Sequence, residues 1–166
     1  MVIVRQRLKG FTLIEVLISV LIMSVGVLGA TGLQLRGLEA NRNAFYRTEA
    51  TQLTSDISSR IRINPTTTYA VDLGATPAFS TNCRTANCTP AQMAAFDIAQ
   101  WLCSIKSTNG TDTYPACSTL DITGSLPGGQ ASISLPAGAA EYSVLVRWTD
   151  AKTSVVSSVN LFVAVP

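Results

Sequence analysis

Between Val16 and Leu35 the chain carries twenty consecutive uncharged residues, most of them apolar or small. As a helix rising about 1.5 Å per residue, such a run spans roughly 30 Å, the thickness of a bilayer's hydrocarbon core. The run therefore predicts a membrane-spanning helix. One acid, Glu15, stands at its start. A carboxylate is costly there, which makes it a candidate functional group. Ahead of it, Arg5, Arg7 and Lys9 give residues 1–10 three positive charges and no negative one. This bias places that end in the cytoplasm. A secretory signal peptide does not fit, because the apolar run is too long and no small-residue cleavage site closes it.

The segment Lys9–Ser19, KGFTLIEVLIS, resembles the class III signal of type IV pilins and pseudopilins. The resemblance implies that a prepilin peptidase cuts between Gly10 and Phe11, that Phe11 is then N-methylated, and that Glu15 is retained as the partner of an N-terminal amine. Physically, the cut removes the charges that orient the helix and creates an ammonium about one helical turn from Glu15. Pairing the two in low dielectric would favour one axial register between subunits. The alternative is that Glu15 merely reaches to the interface. The expected organisation is a cytoplasmic leader at 1–10, the transmembrane half of a long helix at 11–35, and an extracytoplasmic pilin-like domain at 36–166.

Beyond Leu35 the helical pattern continues. Leu38, Ala50, Leu53, Ile57 and Ile61 form an apolar stripe, with Phe45 and Tyr46 between. Arg36, Glu39, Arg42, Arg47, Glu49, Asp56 and Arg60 fill the other faces, and Asp56–Arg60 is a favourable i,i+4 pair. Asn64-Pro65 closes the helix. The rod from Phe11 to about Ile63 would be roughly 80 Å long, apolar all round in its first half and amphipathic in its second. Gly26, Gly29 and Gly32 recur in the apolar half. Close helix contacts, a soft spot that unwinds, and ordinary tolerance in a membrane helix all account for them.

Residues 64–89 read as a long loop, with a short edge strand expected at 69–73. Thr89-Pro90 is a helix start, threonine as cap and proline in the first turn. The second helix is expected to end near Ser107, with Phe96 and Trp101 either lining a groove or packing in the core, and with Asp97 and Lys106 on its polar side. Its stretch Ala94–Leu102, AAFDIAQWL, resembles the corresponding region of PilV-type minor pilins. Residues 108–120 read as a polar loop. Three strand-like runs follow, at 131–135, 141–149 and 154–165, with a hairpin turn at 150–153. The second alternates Tyr142, Val144, Val146 and Trp148 on one face; the third does so with Val155, Val159, Leu161 and Val163. The fold class is α+β: a long N-terminal helix on a small antiparallel sheet of three or four strands, a second short helix, and disulfide-bearing loops.

The four cysteines, Cys83, Cys88, Cys103 and Cys117, all follow the apolar run. An even count in an exported domain points to disulfides. A four-thiolate zinc site wants two closely spaced pairs, and only the first interval fits. Of the three connectivities, Cys83–Cys88 with Cys103–Cys117 closes the shortest loops and is expected.

Net charge is +2, but without the three leader charges the side chains sum to −1. The basic balance is thus no evidence for nucleic-acid binding. There is no histidine, phosphate-binding glycine motif or nucleophile elbow. No enzymatic activity, cofactor or metal is expected. The resemblance implies a minor pilin, held in the inner membrane by one span with its globular domain in the periplasm and then carried into a cell-surface pilus. Its implied partners are the prepilin peptidase, other minor and major pilins, and an inner-membrane assembly platform. A pseudopilin of a type II secretion system would share the leader and the helix. A DNA-uptake or adhesive subunit would want a basic or aromatic patch, and Arg84, Lys106, Arg147 and Lys152 are too dispersed to make one.

Overall fold

A computed structural model describes residues 10–106, 114–149 and 154–164. The expected leader, the hairpin turn at 150–153 and Lys152 lie outside the described residues, apart from Gly10. The chain forms two compact units, one ending at Arg42 and the other Asn43–Pro166.

The first unit is helical. The helix α1, Leu13–Ile63, opens in it and runs unbroken through Gly26, Gly29 and Gly32. Apolar side chains stand exposed on all sides: Leu17, Val20, Leu21, Val25 and Leu28. By length and composition this helix is sufficient to cross a membrane. Its hydroxyls return to the helix's own carbonyls, as an apolar surrounding requires. Ser19 Oγ donates to the Glu15 carbonyl at 2.7 Å, Ser24 Oγ to that of Leu21 at 2.8 Å, and Thr31 Oγ1 to that of Val27 at 2.8 Å. Leu38, expected on the core stripe, is 65% exposed and lies in this unit.

In the second unit α1 turns amphipathic. Ala50, Thr54, Ile57, Ser58 and Ile61 are buried on one face. The two buried hydroxyls are satisfied one turn back, Thr54 on the Ala50 carbonyl and Ser58 on that of Thr54. Ala50, Ile57 and Ile61 join a single core with Tyr69, Trp101, Leu102, Ile105, Ile133, Val144, Val146 and Trp148. After Ile63 the Asn64 amide N–H still bonds the Arg60 carbonyl, at 3.2 Å, and Pro65 stops the ladder.

The loop that follows makes one antiparallel bridge, Val71 to Ile133, in place of the expected strand. The second helix, α2, spans Pro90–Ile105. Its cap is complete: Thr89 Oγ1 accepts from the Gln92 amide, and the Gln92 side chain accepts from the Thr89 amide at 2.9 Å. A further helix, α3, covers Pro115–Leu120, where the sequence reads as loop. Pro115 sets the first turn, and Cys117 and Leu120, three apart, are buried on one side.

Three strands, β1 (Gln130–Ser134), β2 (Glu141–Thr149) and β3 (Val156–Ala164), form one antiparallel sheet in the order β1-β2-β3. The alternation on β2 buries Tyr142, Val144, Val146 and Trp148. Val144 stands opposite Ile133 on one side and Leu161 on the other. The fold is therefore α+β, a long helix and two short ones with a small sheet. On β3 the expected face is fully buried only at Val163; Val159 is partly buried against the core, and Leu161 remains 39% exposed.

Candidate functional site

Gly10 and Phe11 precede α1 in exposed, non-helical backbone, and the Phe11 ring is 83% exposed. The helix begins at Leu13, two residues later than the sequence predicts, because Thr12 takes the capping position. The Thr12 carbonyl accepts from the amides of Glu15 and Val16, at 3.1 and 3.3 Å, and its hydroxyl accepts from the Glu15 amide at 3.4 Å. Thr12-x-x-Glu15 is a capping-box spacing that sequence reasoning missed. Glu15 thus sits in the first turn of α1, where the helix dipole favours an acid. The peptide bond after Gly10 lies outside regular structure and the acid lies inside it. A new terminus at Phe11 would be within about one turn of that carboxylate.

The second constellation, in the Asn43–Pro166 unit, is a part-buried polar centre around the buried Asp97 and Tyr69. Arg60 Nε donates to Asp56 Oδ2 at 3.0 Å, and its Nη1 donates to Asp97 Oδ1 at 2.8 Å and to Gln100 Oε1 at 2.9 Å. The Tyr69 hydroxyl donates to Asp97 Oδ2 at 2.9 Å and accepts from Asn64 Nδ2 at 3.3 Å. Asn64 Nδ2 also donates to the Pro90 carbonyl at 2.8 Å. Asp97, placed on the polar side of α2 by its type, is buried, because Arg60 arrives from α1 to meet it. Burial pulls the Arg60 guanidinium down, but its bond to Asp97 and the charges of Asp56 and Asp97 carry it above the usual arginine value. Burial pushes the Tyr69 phenol up to about 12, the bond from Asn64 working against it and Asp97 with it.

Lys106 is also buried rather than solvated. Its Nζ donates to the Gly74 carbonyl at 3.2 Å and lies 4.9 Å from the centre of the Tyr114 ring. Arg84 donates from Nη1 to the Leu120 carbonyl at 3.0 Å, and Arg147 from Nε to Gln130 Oε1 at 2.9 Å. These cations are tied one by one to different parts of the unit. Trp101 and Phe96 are core residues: Trp101 Nε1 donates to the Leu53 carbonyl at 2.9 Å, and Phe96 meets Phe79 edge to face at 5.3 Å. Cys83 bonds Cys88 within the loop, and Cys103 bonds Cys117, stapling α2 to α3. Among the described residues no cluster of three or more acidic or thiol groups could hold a metal.

An exposed apolar helix, capped at a threonine–glutamate turn and continuing into an α+β unit with two disulfides, is the architecture of a pilin-like subunit. A model of the prokaryotic N-terminal methylation motif matches residues 5–31, and a model described as type IV pilin Tt1218 matches residues 32–99. The two matches adjoin and cover the chain from residue 5 to residue 99. The chain belongs to the type IV pilin family. No curated protein and no solved structure matches it. The methylation motif implies processing by a prepilin peptidase and assembly with other pilins, and pilins are structural subunits rather than enzymes.

Proposed function

We propose that this chain is a minor type IV pilin of the PilV type, made as a prepilin. Residues 1–10 are its cytoplasmic leader, residues 11–35 its single span of the inner membrane, and residues 36–166 its periplasmic part. The peptidase cuts between Gly10 and Phe11, and Phe11 is N-methylated. Glu15 then pairs with a Phe11 ammonium, its own or a neighbour's, as the subunit enters the filament. The other minor pilins, the major pilin and an inner-membrane assembly platform are its partners. The observation that carries this reading is the start of α1: an exposed Gly10–Phe11 bond, a Thr12 cap, and Glu15 held in the first turn, directly ahead of the uncharged run from Val16 to Leu35. The AAFDIAQWL stretch supports the PilV type. It folds as α2 and carries Trp101 and Asp97 into the core.

The test is mass spectrometry of protein recovered from cells, combined with Glu15→Gln. The mature chain should begin with methylated Phe11. The amide variant should be inserted and cut normally. Its incorporation into sheared surface filaments should fall about tenfold or more, since an unpaired charge in the membrane costs a few kcal/mol. A chain that retains Met1–Gly10, or an amide variant that assembles like the parent, refutes the assignment. Recovery in sheared surface filaments, rather than only with a secretion machinery in the envelope, distinguishes a pilin from a pseudopilin.

A further inference from the structure

We propose that the outer edge of β3 takes up an extended segment of a different protein chain as a fourth strand of the sheet. The two edges of the sheet are treated differently. The edge of β1 is closed at its middle, where Val71 and Ile133 exchange two backbone bonds of 3.0 Å each. The outer edge of β3 has no strand partner among the described residues. It runs for nine residues, VSSVNLFVA, with no charge and no proline. These are the devices by which solvent-facing edges ordinarily avoid pairing.

The packing also stops short at this edge. Leu161 lies on the same face as the fully buried Val163, yet is 39% exposed, and Phe162 on the other face is 62% exposed. Beside the first half of β3 lies a cleft of about 660 Å³. Asn43 and Arg47 of α1 form one wall, Ser157 and Ser158 the other, and Trp148 contributes to its lining. A strand added to β3 would lie about 4.8 Å from it. There it would fill this cleft, continue the hydrogen-bond ladder and cover Leu161.

The occupant's chemistry follows. Its backbone must be extended and its side chain over Leu161 apolar. Among the described residues the one charged side chain lining the cleft is Arg47, so the segment carries an acidic side chain at that end. A second copy's β3 is excluded as the donor, because it contains no acid to meet Arg47. The inference does not depend on whether the assembly the chain enters is a pilus or a secretion pseudopilus.

The experiment uses the full chain in cells, with the photocrosslinker benzoylphenylalanine at Ser158. The exposed Gln52 of α1 serves as the control position. Adducts are mapped by mass spectrometry. The expected result is a Ser158-specific adduct to an extended segment of another protein with an Asp or Glu within a few residues. Arg47→Glu should reduce that adduct about tenfold or more, and reversing the partner's acid to Arg should restore it. Because Arg47 is exposed, the variant should keep protease resistance and both disulfides. Adducts no more abundant at Ser158 than at Gln52, adducts to a second copy or to a helical segment, or indifference to Arg47→Glu would each overturn the proposal.

Discussion

Asp56 and Asp97 touch the same guanidinium, yet replacing them should have very different effects. Asp56 is 49% exposed and four residues from Arg60 on one helix; Asp97 is 11% exposed and comes from α2. Asp97→Ala removes the acceptor for both Arg60 Nη1 and the hydroxyl of the fully buried Tyr69. A hydrogen bond to a charged group contributes about 1.5–3 kcal/mol, and a stranded buried hydroxyl costs about 1–3 kcal/mol. Arg60 keeps Asp56 and Gln100, and Tyr69 keeps its contact with Asn64. The lower half of both ranges therefore applies, about 3 kcal/mol in all. That is a large share of the roughly 5–15 kcal/mol that holds a domain together. At about 4 °C per kcal/mol it lowers the melting temperature by about 12 °C.

Asp56→Ala removes an exposed helical pair worth about 0.3–0.5 kcal/mol, a shift of about 1–2 °C. The assay is thermal unfolding of the full chain in detergent. It is followed by tryptophan emission, which reports Trp101 and Trp148 in the core and not the apolar helix. Equal shifts for the two alanine variants, or a loss below about 1 kcal/mol for Asp97→Ala, would show that burial does not set the strength of these bonds.

Three further outcomes are expected, one in thermal unfolding and two in denaturant unfolding. Tyr69 has its pKa raised from 10.0 to about 12 in the folded chain, so the stability it contributes is complete below pH 10 and is lost as pH rises toward 12; Tyr69→Phe should flatten that part of the melting-temperature profile. A Cβ on Gly124 would overlap the backbone carbonyl of Lys106, so Gly124→Ala should cost about 3 kcal/mol or more and lower the urea midpoint accordingly. Replacing both Cys103 and Cys117 with alanine opens a loop of sequence separation 14 and should cost about 3 kcal/mol, against about 2 kcal/mol for Cys83 with Cys88, separation 5; denaturant titrations of the two double variants should keep that order.

What the sequence displayed and what it hid follow one physical division. Periodicity, caps and breakers are local, and they are legible: the stop at Asn64-Pro65, the Thr89 cap of α2, and the strand Glu141–Thr149 all read directly from residue type and spacing. Residues whose environment is set by distant segments are not. Asp97 and Lys106 look like solvated positions on an amphipathic helix. Both are buried because Arg60, thirty-seven residues away, and Gly74, thirty-two away, arrive to satisfy them. The short α3 hid for a related reason. Six residues leave too little periodicity to see, and its buried face depends on Cys117 meeting Cys103.

The strand β3 marks the limit of pattern reading. Alternation states which residues share a face; it does not state what covers them. On β2 the same kind of pattern buries four residues, since β1 and β3 flank it and helices supply the cover. On β3 it buries Val163 alone, because the sheet ends there. Every apolar residue on an edge strand is therefore a statement about two structures, the isolated chain and the chain with its neighbour. For an α1 whose apolar side chains stand exposed from Leu13 to Leu38, the bilayer supplies that neighbour by general chemistry. For β3 water meets the edge amides and carbonyls but does not cover Leu161, whereas an added polypeptide strand does both.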